Sequence, residues 1–303
     1  MCRSTLSDSI LEETFLSGTA TPYTTINISV GHSPAAVGLS ALVASNLCRA
    51  AISWQALRIA VGCPARQLTF DSRFMGDHIT RFSEVRALIF DLDGTLIDSK
   101  LDLALSVNAT LEKLGRNPLP HEQIFSYVGQ GAPALIARAL GSDASEQDCM
   151  LGLEFFIKYY SAHKLDNTVL YPGVRETLDA LKGMPMAVYT NKPVRVSRNI
   201  IQELGVGDHF RFVYGGNSFE RKKPDPMGVD SILREFGAAP AQAMIVGDSE
   251  IDVQTARNSG TWVCGVTYGF GSHHFEEYPP DVLVDNLTEL LPHLSGGSPG
   301  RSC

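Results

Sequence analysis

The sequence predicts an α/β fold: a doubly wound, Rossmann-like parallel sheet with an inserted α-helical cap domain. Three observations carry that expectation. From Val85 onward, short apolar runs alternate with stretches of helical periodicity, as buried parallel strands do when crossover helices join them. Several of those runs end in a cluster of Gly, Asp, Thr or Asn. The stretch between the first run and the second is far longer than one crossover needs, and it has its own helical periodicity.

Taken in order, residues 1–84 are rich in Ser, Thr and Ala and show no strand-helix alternation, so they read as a poorly ordered extension. Their uninterrupted apolar run, Pro34 to Cys48, is too short to span a bilayer. Asp8, Glu12 and Glu13 stand where a secretory signal carries positive charge. Met75 is a candidate true start. The strands of the core are expected at Arg86–Phe90, Met186–Tyr189, Arg211–Tyr214, Met244–Val246 and Trp262–Val266. Residues 85–100 and 169–292 thus form the α/β core. Between them, Leu101, Ala104, Leu105, Leu111 and Leu114 recur at helical intervals, as do apolar residues from Met150 to Tyr160. Pro118, Pro120, Gly129, Gly131 and Gly141 punctuate this stretch. A helical cap over 101–168 follows, placed over the carboxyl ends of the strands, where such sheets bind ligands. Residues 293–303, rich in Ser and Gly, read as a flexible tail.

Composition narrows the function. The 303 residues are 44% hydrophobic and 19% charged, which excludes wholesale disorder. Thirty-three acidic against 25 basic side chains give a net charge of -8, the wrong bias for a nucleic-acid partner. No membrane partner is indicated either. The six cysteines lack metal or redox spacing and are too sparse for a disulfide scaffold, which points to a reducing, cytoplasmic compartment.

The chemistry-bearing residues follow strand ends. Phe90-Asp91-Leu92-Asp93-Gly94-Thr95 closes the first strand with two carboxylates, a costly arrangement unless a bound cation such as Mg²⁺ compensates it. Gly247-Asp248-Ser249-Glu250-Ile251-Asp252 closes another strand; if the two are neighbours, Asp248 completes a metal site with Asp91 and Asp93. Asp252, one turn further along, is placed to orient basic groups by hydrogen bonds. Thr190-Asn191-Lys192-Pro193 supplies a hydroxyl and a helix start, with Asn191 as the expected cap and free N–H groups as an anion cradle. Arg221-Lys222-Lys223-Pro224 offers fixed positive charge for a phosphoryl group.

In this order the four motifs resemble those of the haloacid dehalogenase superfamily of phosphohydrolases, over about residues 85–292. Tyr127-Val128-Gly129-Gln130-Gly131, Tyr171-Pro172-Gly173-Val174 and Gly215-Gly216-Asn217 through Pro224 are similar to the phosphoglycolate phosphatase subgroup, although Asn217 stands where that subgroup commonly has Asp. The resemblance implies Asp91 as nucleophile and Asp93 as general acid and base. It implies Mg²⁺ held by Asp91, Asp248 and the backbone carbonyl of Asp93. Thr190, Asn191 and Lys223, the lysine directly before Pro224, would bind the phosphoryl oxygens, and Gly129 and Gly131 would let backbone approach a small carboxylate. The implied partner is a small anionic phosphoester, foremost 2-phosphoglycolate, with pyrophosphate or a sugar phosphate as alternatives, acted on by a monomer or homodimer. A phospho-accepting signalling receiver shares Asp, Mg²⁺, Thr and Lys and is the different-class alternative.

Overall fold

A computed structural model describes residues 82–294, so the expected extension up to residue 81 and the tail from 295 lie outside the described residues. Five strands appear within a residue of their expected bounds: β1 (Ala87–Phe90), β4 (Met186–Tyr189), β5 (Phe212–Tyr214), β6 (Ala243–Gly247) and β7 (Trp262–Val266). β1, β4 and β6 are buried along their whole length, as their unbroken apolar runs require. A sixth strand, β8 (Val282–Val284), escaped the sequence reading. It is a three-residue edge strand with only Val284 buried, too short and too one-sided to stand out.

All six strands pair in parallel in the order β5-β4-β1-β6-β7-β8. Alternate residues feed two cores. Leu88, Phe90, Val188 and Val246 point to one, with Val174 and Leu178 of α5 (Val174–Ala180) and Ile200 of α6 (Val194–Glu203). Ala87, Ile89, Ala187 and Ile245 point to the other, with Val229 and Ile232 of α7 (Met227–Phe236) and Val253 of α8 (Glu250–Ser259). Helices on both faces make the sheet doubly wound.

The long gap after β1 holds the helices α1 (Lys100–Lys113), α2 (His121–Phe125), α3 (Ala132–Leu140) and α4 (Glu146–His163). A two-stranded antiparallel ribbon, β2 (Ile97–Asp98) with β3 (Val169–Leu170), carries the chain out of the sheet and back. Asp102, buried at the start of α1, closes the return: it accepts from Asn167 N (3.0 Å), Asn167 Nδ2 (2.8 Å), Thr168 N (2.8 Å) and Thr168 Oγ1 (2.7 Å). Burial alone would raise that carboxyl, but these donors hold it below its ordinary value. Among the described residues no helix is long and apolar enough to cross a membrane.

Candidate active site

β1 lies between β4 and β6, and the chain reaches β6 only after passing through β4 and β5. The strand order therefore reverses at β1, opening a crevice at its carboxyl end. Parallel register, with Phe90 opposite Val188 and Val246, brings Asp91, Thr190 and Asp248 to that one edge. Asp91 N donates to Val246 O at 2.9 Å, which extends the ladder one residue into the site. Gly94 then turns the chain at φ 85°, where a Cβ would overlap Asp248 Oδ2.

Carboxylate oxygens of Asp91, Asp248 and Asp252 lie within 4.8 Å of one another. Lys223 Nζ stands 2.9 Å from Asp91 Oδ1 and 2.7 Å from Asp252 Oδ1. Asp252 Oδ2 accepts from Ser249 N (3.2 Å) and Ser249 Oγ (2.7 Å) at the start of α8. Asp248 accepts from Thr95 Oγ1 (3.2 Å), Phe270 N (2.7 Å) and Gly271 N (3.2 Å). Lys222, the adjacent lysine, leaves the cluster and donates to the Gln130 carbonyl at 2.6 Å.

Three clustered acids thus have one ammonium among them, and it reaches only Asp91 and Asp252. Burial, with Asp252 and Asp91 adding repulsion, pushes Asp248 up to about 8. Burial also pushes Asp91 up to about 6, against the pull of Lys223. Asp91 Oδ1 is buried and accepts no well-aligned hydrogen bond, its close neighbour being the Lys223 ammonium. An all-oxygen donor set, surplus negative charge and an under-satisfied carboxylate oxygen fit a hard divalent cation.

The Asp93 side chain is not in that trio. Its Oδ1 accepts from Ser99 Oγ, and Lys192 Nζ lies 2.8 Å from Oδ1 and 3.0 Å from Oδ2. Lys192 also donates to Tyr160 Oη of α4 at 2.8 Å. Asp93 and Tyr160 keep this ammonium charged although burial opposes it.

Asn191 does not cap the following helix, as the sequence had suggested. Lys192 precedes a proline, which disfavours helical backbone, so α6 starts only at Val194. The freed Asn191 amide instead donates to the carbonyls of Gly129 (3.1 Å) and Lys223 (3.3 Å), linking cap to core. The Val194 N–H is taken by Asn217 Oδ1 at 2.9 Å, so it is not part of an anion cradle. Thr190 Oγ1 accepts from Lys192 N at 3.3 Å. Gly131, at φ 88°, passes so close to Asn191 that a Cβ would stand 2.9 Å from its carbonyl oxygen.

Above these strand ends is a cavity of about 270 Å³. Asp91, Asp93, Thr190, Asn191, Lys192 and Asp248 line it from the core. Phe125, Val128, Leu135, Phe156 and Tyr160 close it from the cap. Sequence reasoning passed over Lys192 and Tyr160: one sat inside a quoted motif as spacer, the other looked like ordinary apolar periodicity in α4.

Residues 88–266 match the family model described as haloacid dehalogenase-like hydrolase. The chain belongs to that family. This haloacid dehalogenase-like hydrolase is 41% identical over 215 residues to a phosphoglycolate phosphatase of Pseudomonas syringae pv. syringae, covering 68% of this chain and 79% of the relative. It is 38% identical over 221 residues to one of Vibrio parahaemolyticus, covering 69% of this chain and 95% of the relative. The crystal structure of a predicted phosphoglycolate phosphatase from Haemophilus somnus superposes with a TM-score of 0.66 at 32% identity, covering 69% of this chain and 97% of that one. The chain is a phosphoric monoester hydrolase similar to these enzymes, and the signalling-receiver alternative is set aside.

Proposed function

We propose that the protein is a magnesium-dependent, cytoplasmic phosphatase that cleaves 2-phosphoglycolate to glycolate and phosphate through an aspartyl-phosphate on Asp91. The observation that supports this reading best is the convergence of Asp91, Asp248, Asp252 and Lys223 at the strand ends, beneath a small cavity closed by helices.

The residues divide the work. A carboxylate oxygen of Asp91 attacks phosphorus while the bond to the leaving oxygen breaks, so one hard step becomes two easier ones. Asp93, fixed by Ser99 and Lys192, gives its proton to the departing alkoxide. It then takes a proton from the water that attacks the phosphorus of the intermediate, releasing phosphate and restoring Asp91. Thr190 Oγ1, Asn191 N–H and the Lys223 ammonium hold the phosphoryl oxygens. Mg²⁺ held by Asp91, Asp248 and the Asp93 carbonyl would offset the surplus negative charge and stabilise the phosphoryl group in transfer. Asp252 keeps Lys223 aimed at Asp91. The cap excludes water and limits the substrate to a small molecule.

Two measurements test this. Asp91→Asn should remain folded and release no phosphate with Mg²⁺ present; retained turnover removes Asp91 as nucleophile. In a panel of small phosphoesters, 2-phosphoglycolate should show the highest kcat/KM, and pyrophosphate or a hexose phosphate in first place would reassign the substrate while sparing the mechanism.

A further inference from the structure

We infer that Lys192 is the specificity-determining residue that reads a carboxylate on the leaving group. The inference rests on the phosphomonoester reading above and deepens it. Lys192 is 6% exposed and lines the cavity. Its ammonium sits against both oxygens of Asp93 and against the Tyr160 hydroxyl, 4.5 Å from that ring's centroid. An acid that protonates the leaving oxygen must stand beside it. A cation hydrogen-bonded to that acid therefore stands beside the atoms attached to the leaving oxygen. In glycolate those atoms are one methylene and then the carboxylate.

An ammonium has three N–H bonds, and here they go to the two Asp93 oxygens and to Tyr160 Oη. When one Asp93 oxygen turns to the leaving oxygen with its proton, the N–H bond it had accepted is released for the neighbouring carboxylate. The alternative cation in the lining is Arg138. Its guanidinium is already committed to the Tyr127 carbonyl (3.1 Å) and Gln130 Oε1 (2.6 Å), where it braces the cap, and the residue is exposed. His273 and His274 also line the cavity, but Asp93 takes its side-chain hydrogen bonds from Ser99 and Lys192 and not from them. A charge-assisted bond in a water-poor cavity discriminates more sharply than one at the rim. Because Tyr160 belongs to α4, the ammonium is fully positioned only with the cap closed on the core. Recognition of the leaving group is thereby tied to closure.

The test compares 2-phosphoglycolate with ethyl phosphate, which carries a methyl group in place of the carboxylate. Lys192→Met should lower kcat/KM for 2-phosphoglycolate on the order of 10- to 100-fold more than for ethyl phosphate, the loss of one charge-assisted hydrogen bond. Equal losses on both substrates overturn the inference and leave Lys192 as a positioning residue for Asp93. A selective loss in Arg138→Met with none in Lys192→Met overturns it in favour of Arg138. A wild-type enzyme indifferent between the two esters overturns the substrate reading itself, and this inference with it. If circular dichroism shows Lys192→Met unfolded, Tyr160→Phe decides. It keeps the charge and removes one bond holding it, so a several-fold selective rise in KM for 2-phosphoglycolate is expected. Parallel changes on both esters overturn the inference.

Discussion

Removing divalent ions and raising the pH should destabilise the fold through two identifiable side chains. Asp91 and Asp248 titrate in the folded protein at about 6 and about 8, against 3.8 for an ordinary Asp. The folded chain therefore retains protons that the unfolded chain releases. The stability that comes with them is fully present below pH 3.8 and is lost as pH rises, through 6 for Asp91 and through 8 for Asp248. At about 1.4 kcal/mol per pH unit, the loss between pH 5 and 8.5 is on the order of a few kcal/mol. That is a large share of a typical folding free energy. The assay is urea unfolding in EDTA at pH 5, 6.5 and 8.5, for the wild type and for Asp248→Asn, which keeps the shape but cannot titrate. The wild type should lose stability more steeply than the variant. Adding Mg²⁺ should stabilise the wild type increasingly as pH rises, since a cation takes the place of the protons. Parallel curves for the two proteins in EDTA would refute the account of crowded carboxylates.

Three further outcomes follow from the same geometry. Lys223→Met leaves Asp91 and Asp252 without their shared cation and should cost on the order of 3–5 kcal/mol in urea unfolding at neutral pH, together with phosphate release; unchanged stability would contradict the pairing. Gly94→Ala forces a methyl group toward Asp248 at φ 85°, so it should cost about 1–3 kcal/mol and weaken Mg²⁺ binding measured by calorimetric titration. Asn191→Ala removes the bond to the Gly129 carbonyl and should lower stability by about 1 kcal/mol while raising KM, read from unfolding and steady-state kinetics.

What the sequence by itself determined was local. A strand buried on both faces must be apolar throughout, so β1, β4, β6 and β7 stood out with nearly correct ends, and the acids at Asp91, Asp93 and Asp248 were conspicuous because charge at such an end is costly. The half-exposed edge strand β8 had no such signal. Only the tertiary structure decided that the Asp252 carboxylate, and not that of Asp93, stands with Asp91 and Asp248. It alone turned Asn191 from the helix start toward Gly129, and brought Tyr160 onto Lys192 and thence onto Asp93. These contacts join residues far apart in the chain. Their directions depend on how the cap helices pack over the sheet, and no periodicity within a single element records that packing.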